Sequence, residues 1–174
     1  MNKRSFSLVL AFSFLAPVAA SAGGAPAVAV TFDHPENFAD VKDAFIGSDK
    51  GRDDILAQIK QFIESRTASY LQPGQHLEIT FTDIDLAGDF EPAGGTQFDR
   101  VRVMKGVYPP RLSFEFKLTA ANGQVLKEGK RKLMDLGYQQ RMLRGGLDSD
   151  LRYEEDLLID WMHDDLAAAK AGAS

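Results

Sequence analysis

The order of apolar patterns along this chain predicts an α+β fold: a mostly antiparallel four- to five-stranded sheet with two helices packed on one face. Three observations carry that expectation. Ile55, Ile59, Phe62, Ile63 and Tyr70 recur at helical spacing, and so do Leu151, Leu157, Leu158, Trp161, Met162 and Leu166. Leu112, Phe114, Phe116 and Leu118 alternate with polar residues, the pattern of a strand with one wet face. That run leads into Asn122-Gly123, the strongest short-range signal for a hairpin.

The first residues read as a secretory signal peptide. Lys3 and Arg4 supply a positive start, Phe6 to Val18 an apolar core, and Ala20-Ser21-Ala22 a small-residue cleavage site. The apolar run is too short to span a membrane, which takes about 20 residues. Removing residues 1–22 of 174 leaves 152, which suits a single domain over 23–174. The chain has no cysteine, so a lipoprotein anchor, disulfides, cysteine-based zinc sites and thiol nucleophiles are all excluded. Together these features predict a periplasmic or secreted protein without a transmembrane span.

Ala27 to Phe32 is short, apolar and β-branched, and reads as a strand that His34-Pro35 ends. A helix is expected over about Arg52 to Leu71, with Asp53 and Asp54 complementing its dipole and Pro73-Gly74 stopping it. Leu77, Ile79 and Phe81 then alternate with polar residues. The apolar phase shifts to Ile84 and Leu86, so the strand is either bulged or finished at Asp83. Ala93 to Thr96 is loop, and Val101 and Val103 mark a short strand. A two-residue turn at Asn122-Gly123 would place Lys117 opposite Glu128, Glu115 opposite Lys130 and Phe116 opposite Gly129. A three-residue turn would pair Lys117 with Lys127, a clash that a bulge could relieve. Leu136 to Gly146 is irregular, with one helical turn expected around Gln139–Arg144. The last helix starts near Asp150, with Glu154, Glu155 and Asp156 in its first turn.

Charge is unevenly distributed. Gly23–Phe98 carries thirteen acids against five bases, Asp99–Arg152 six against twelve, and Tyr153–Ser174 six against one. Mutual neutralisation across the fold is the plainer reading of this pattern, and a basic face for an anionic partner the sharper one.

The densest chemistry is the acidic cluster Asp83, Asp85, Asp89 and Glu91. Asp83 to Gly88 matches part of a calcium loop, but Ala87 stands at the third ligand position and Gly94 where a bidentate glutamate belongs. Paired carboxylates could also serve acid–base hydrolysis. The alternative is that these acids meet Arg100, Arg102, Lys105 and Arg111 on neighbouring strands. Arg141 and Arg144, beside Gly145-Gly146, could contact an anion. His34, His76 and His163 have no metal spacing, and no nucleophile elbow, phosphate loop or dinucleotide fingerprint is present.

Thr82-Asp83-Ile84-Asp85-Leu86-Ala87-Gly88, Arg102-Val103, Pro109-Pro110-Arg111 and Tyr153-Glu154 before Trp161 together resemble the bacterial domain of unknown function numbered 3016, from about Val28 to Trp161. The resemblance implies a small exported bacterial protein and brings no activity, cofactor or catalytic residue with it. The leading expectation is a non-enzymatic periplasmic domain whose partner is another envelope protein, an anionic envelope component or a ligand. No cofactor, metal or nucleic acid is expected. The competing expectation is a metal-dependent or carboxylate-based hydrolase using Asp83, Asp85, Asp89 and Glu91.

Overall fold

The computed structural model describes residues 27–91, 99–142 and 149–167. The leader, the Ala93–Thr96 loop and the segment from Arg144 to Gly146 lie outside the described residues. Strand β1 (Val28–Phe32) is followed by a single 3-10 turn at Pro35–Asn37, helix α1 (Asp49–Thr67) and strand β2 (His76–Asp85). Then come β3 (Asp89–Phe90), β4 (Arg102–Val103), β5 (Arg111–Thr119) and β6 (Val125–Met134). A second 3-10 turn, Tyr138–Gln140, precedes helix α2 (Arg152–Trp161), which runs on into a π-helical turn, Met162–Ala167.

The main sheet has the order β1-β2-β5-β6. β2 pairs antiparallel with β5, and β5 with β6, whereas β1 runs parallel to β2 from Val28 opposite Leu77 to Phe32 opposite Phe81. The fold is α+β, and the sheet is mixed. The parallel pair follows from connectivity: α1 carries the chain back to the end where β1 began, so the next strand repeats its direction. A fifth strand of this sheet does not form among the described residues. The Val101–Val103 segment narrows to Arg102–Val103 and pairs with β3 in a separate two-stranded ribbon.

Both helices cover the same face. Leu77, Ile79, Phe81 and Ile84 of β2 stand opposite Leu118, Phe116, Phe114 and Leu112 of β5, and all eight are buried. Against them pack Leu56, Ile59 and Ile63 of α1 and Leu157, Leu158 and Trp161 of α2. A row of rings crosses the sheet: Phe32 to Phe81 at 5.5 Å, Phe81 to Phe114 at 5.2 Å, and Phe114 to Trp161 at 4.9 Å, the last edge-to-face. α1 starts at Asp49, ahead of the expected Arg52, because Ser48 caps it and accepts the Gly51 N–H at 2.9 Å. The phase change at Asp83 is a bulge. Phe81 faces Phe114 and Asp83 faces Ser113, leaving Thr82 as the extra residue, and the strand continues to Asp85.

The β5–β6 hairpin combines both registers considered from sequence. Ala120 N–H donates to the Gln124 carbonyl at 2.8 Å, so the turn holds three residues, closed by Gly123 at φ 82°. Thr119 then faces Val125 but Leu118 faces Lys127, so Leu126 is bulged out. That single insertion restores the favourable pairing, with Lys117 opposite Glu128, Glu115 opposite Lys130 and Phe116 opposite Gly129. β6 is an edge strand, and its inward positions carry charge. Lys127 Nζ meets Asp165 at 2.8 Å and Arg131 Nε meets it at 2.7 Å, which fastens the π-helical turn to the sheet edge.

Candidate functional site

Each acid of the Asp83–Glu91 cluster has its own partner. Asp83, at the bulge, accepts the Ala39 N–H at 2.9 Å. Asp85 lies opposite Arg111 and pairs with its Nη1 at 2.9 Å. Burial raises the Asp85 carboxyl above its ordinary value, and Arg111 partly offsets this. Asp89 accepts the N–H of Phe90 at 2.7 Å. Glu91 takes Lys105 Nζ on both oxygens, at 2.6 and 2.7 Å, and the Tyr108 hydroxyl at 3.1 Å. Lys105 chiefly holds it below the usual carboxylate range. Among the described residues no group of three His, Asp or Glu side chains could hold a metal ion.

The arginines divide differently from their sequence grouping. Arg102, mostly buried, donates to Asp40 Oδ2 at 2.8 Å, the Gly88 carbonyl at 2.8 Å and the Lys42 carbonyl at 3.1 Å. Its guanidinium also stacks 4.6 Å over the Phe90 ring. Arg102 therefore ties the loop before α1 to the Leu86–Phe90 turn instead of neutralising the acidic cluster. Gly88 makes this grip possible. Its φ of 75° favours glycine, and a Cβ there would lie 2.8 Å from the Val103 carbonyl. Arg141 is held by Asp135 at 3.1 Å, by Asp156 at 3.4 Å and by Asp160. It staples the Tyr138 turn to α2. Arg144 lies outside the described residues.

Arg100 opens onto a different feature. A cleft of about 630 Å³ lies between α1, the Leu86–Phe90 turn, β4 and the first turn of α2. Two shallower grooves, about 400 Å³ on the open sheet face and about 250 Å³ beside the start of α1, are smaller. Ile55, Leu86, Phe90 and Met104 give the cleft an apolar lining, and Arg100, Arg152, Asp43 and Asp54 bring charge to it. Asp43 is already engaged by Ser48 through its N–H at 3.1 Å, and Asp54 by Lys50.

Glu154 forms part of the cleft wall and is only 1% exposed. It accepts the Ala87 N–H at 2.6 Å. Burial pushes its carboxyl up to about 7, and the Ala87 hydrogen bond and the Arg102 charge only partly oppose the shift. Glu154 and Arg102 thus hold the same turn, one through Ala87 N–H and the other through Gly88 C=O. Sequence reading placed Glu154 with the dipole-complementing acids and missed this role. The signal was available: Leu151, Glu154, Leu158 and Trp161 are spaced three, four and three apart, so the glutamate falls on the buried stripe. That the opposing wall is the Leu86–Phe90 turn could not be read from spacing.

No helix among the described residues is long and apolar enough to cross a membrane. No curated protein and no solved structure matches the chain. A sequence profile described as a protein of unknown function, DUF3016, matches residues 26–164. That span runs from just before β1 into the π-helical turn after α2, and includes every strand and both helices. The chain belongs to the DUF3016 family of proteins of unknown function.

Proposed function

We propose that this is an exported, non-enzymatic periplasmic domain that binds a small ligand in the cleft between α1 and α2. The observation that carries the reading is the cleft itself, about 630 Å³ with an apolar lining and a buried carboxyl in its wall. Pockets that hold small molecules run to roughly 300–1,000 Å³ and combine apolar walls with a few placed polar groups. A carboxyl displaced from its ordinary range inside such a cleft is a common mark of a functional site. Binding is favoured over hydrolysis because Asp83, Asp85, Asp89 and Glu91 are each committed to a different neighbour and present no convergent pair. Export rests on the leader pattern of residues 1–22.

Val101 lines the cleft and is 49% exposed, so Val101→Trp fills the cleft without entering the core. A thermal-shift screen of a diverse small-molecule library should find compounds that raise the Tm of the wild-type mature protein and not that of Val101→Trp. If every stabilising compound acts equally on both, the cleft is not the binding site.

A further inference from the structure

We infer that the cleft between α1 and α2 takes an uncharged molecule with an apolar body and discriminates against ions of either sign. This names the ligand class of the cleft reading above and rests on it. Leu86, Phe90 and Leu151 line the cleft as buried residues, and Ile55 and Met104 as half-buried ones. Charge lies mostly at the rim, where Lys42, Asp43, Asp54, Arg100 and Asp150 are exposed to water.

The charges of the lining balance and are already spent on one another or on close neighbours. Asp43, Asp54, Asp150 and Glu154 stand against Lys42, Arg100, Arg102 and Arg152. Arg102 and Lys42 share Asp40, at 2.8 and 3.8 Å. Asp54 is paired with Lys50. Asp43 accepts the Ser48 N–H at 3.1 Å, which chiefly holds its carboxyl below the usual range, and the Arg100 charge adds to the effect. Arg152 is engaged as well, its guanidinium 5.2 Å over the Tyr153 ring. Glu154 accepts the Ala87 N–H at 2.6 Å, and burial, which pushes its carboxyl up to about 7, favours the neutral acid. Asp150 stays in water at the exposed rim. An ion that enters sheds hydration and meets apolar surface, so it must break one of these pairs or remain unpaired, and both are costly. An uncharged molecule sheds little hydration and gains the apolar contacts.

The test uses N-phenyl-1-naphthylamine, an uncharged dye, as a fluorescent reporter on the wild-type mature protein near neutral pH. Three competitors share one ring system and differ in charge: 1-naphthalenemethanol, 1-naphthoate and 1-naphthylmethylammonium. The alcohol should displace the dye at a concentration at least about tenfold lower than either ion, the least that an unpaired charge out of water should cost. Val101→Trp should not bind the dye. Near-UV circular dichroism checks that this variant is folded, and if it is not, the order of displacement on the wild type decides alone. An ion that competes as well as the alcohol for a dye site that Val101→Trp abolishes overturns the uncharged class and leaves the cleft reading standing. Absence of dye binding to the wild type overturns the ligand class, and equal binding by folded Val101→Trp overturns the cleft reading with it.

Discussion

Glu154 shows how far one residue departs from its sequence context. Three acids open α2, but only Glu154 combines a place on the cleft wall with a hydrogen bond from Ala87, and its carboxyl is pushed up to about 7. The sign of the resulting stability effect follows from proton counts. The unfolded chain releases this proton near 4.5, while the folded chain keeps it to about 7, so the folded state binds more protons between those values. Stability therefore falls as pH rises through that window, by roughly 3 kcal/mol. Glu154→Gln keeps an acceptor for the Ala87 N–H and removes the charge. The variant should melt above wild type at pH 8 and level with it at pH 4.5, as followed by circular dichroism. A Tm difference that is the same at both pH values would show that the Glu154 proton does not govern stability. Arg102 makes the complementary point. Its partners, Asp40, Gly88 C=O and Lys42 C=O, are separated from it by at least 14 residues, and no local pattern identifies them.

At the scale of elements, β6 shows how an edge is closed. Lys127, Gly129, Arg131 and Leu133 stand opposite the buried face of β5, so two of four inward positions are cations. Both reach Asp165, and Arg131 also lies 5.0 Å over the Phe116 ring beside the bare backbone of Gly129. Arg131 and Lys127 together hold Asp165 below the usual carboxylate range. Its contribution is therefore present above the unfolded carboxylate pKa and lost as pH falls through the lower folded value. Asp165→Asn should cost about 2 kcal/mol at pH 7, between the values for exposed and buried pairs, since the cations are about one-third exposed. The loss should shrink in urea unfolding repeated at pH 3. A variant as stable as wild type at pH 7 would mean that apolar packing alone seats the end of α2. The hairpin of β5 and β6 was legible in the charges of Lys117, Glu128, Glu115 and Lys130, while the Leu126 bulge that produces the register was not.

For the whole molecule, the sequence carries the compartment as an expectation and the structure carries the cleft in which a ligand is proposed to bind. If residues 1–22 act as a leader, mass spectrometry of the protein recovered from the periplasm should find an N-terminus near Gly23. Recovery of the uncleaved chain from the cytoplasm would remove the proposed export. Two helices, the alternating strands and the buried stripe were readable because periodicity is a local property: each pattern records which side of its own element meets the core. From those patterns the sequence by itself determined the α+β class, while its charges favoured the observed β5–β6 pairing and its short motifs carried the family resemblance. Only the tertiary structure decided that β1 runs parallel to β2, that Arg102 meets Asp40, and that Glu154 and Arg102 grip one turn beside a cleft. Those facts depend on where segments far apart in the chain come to rest, and a spacing rule along one element holds no information about its neighbour.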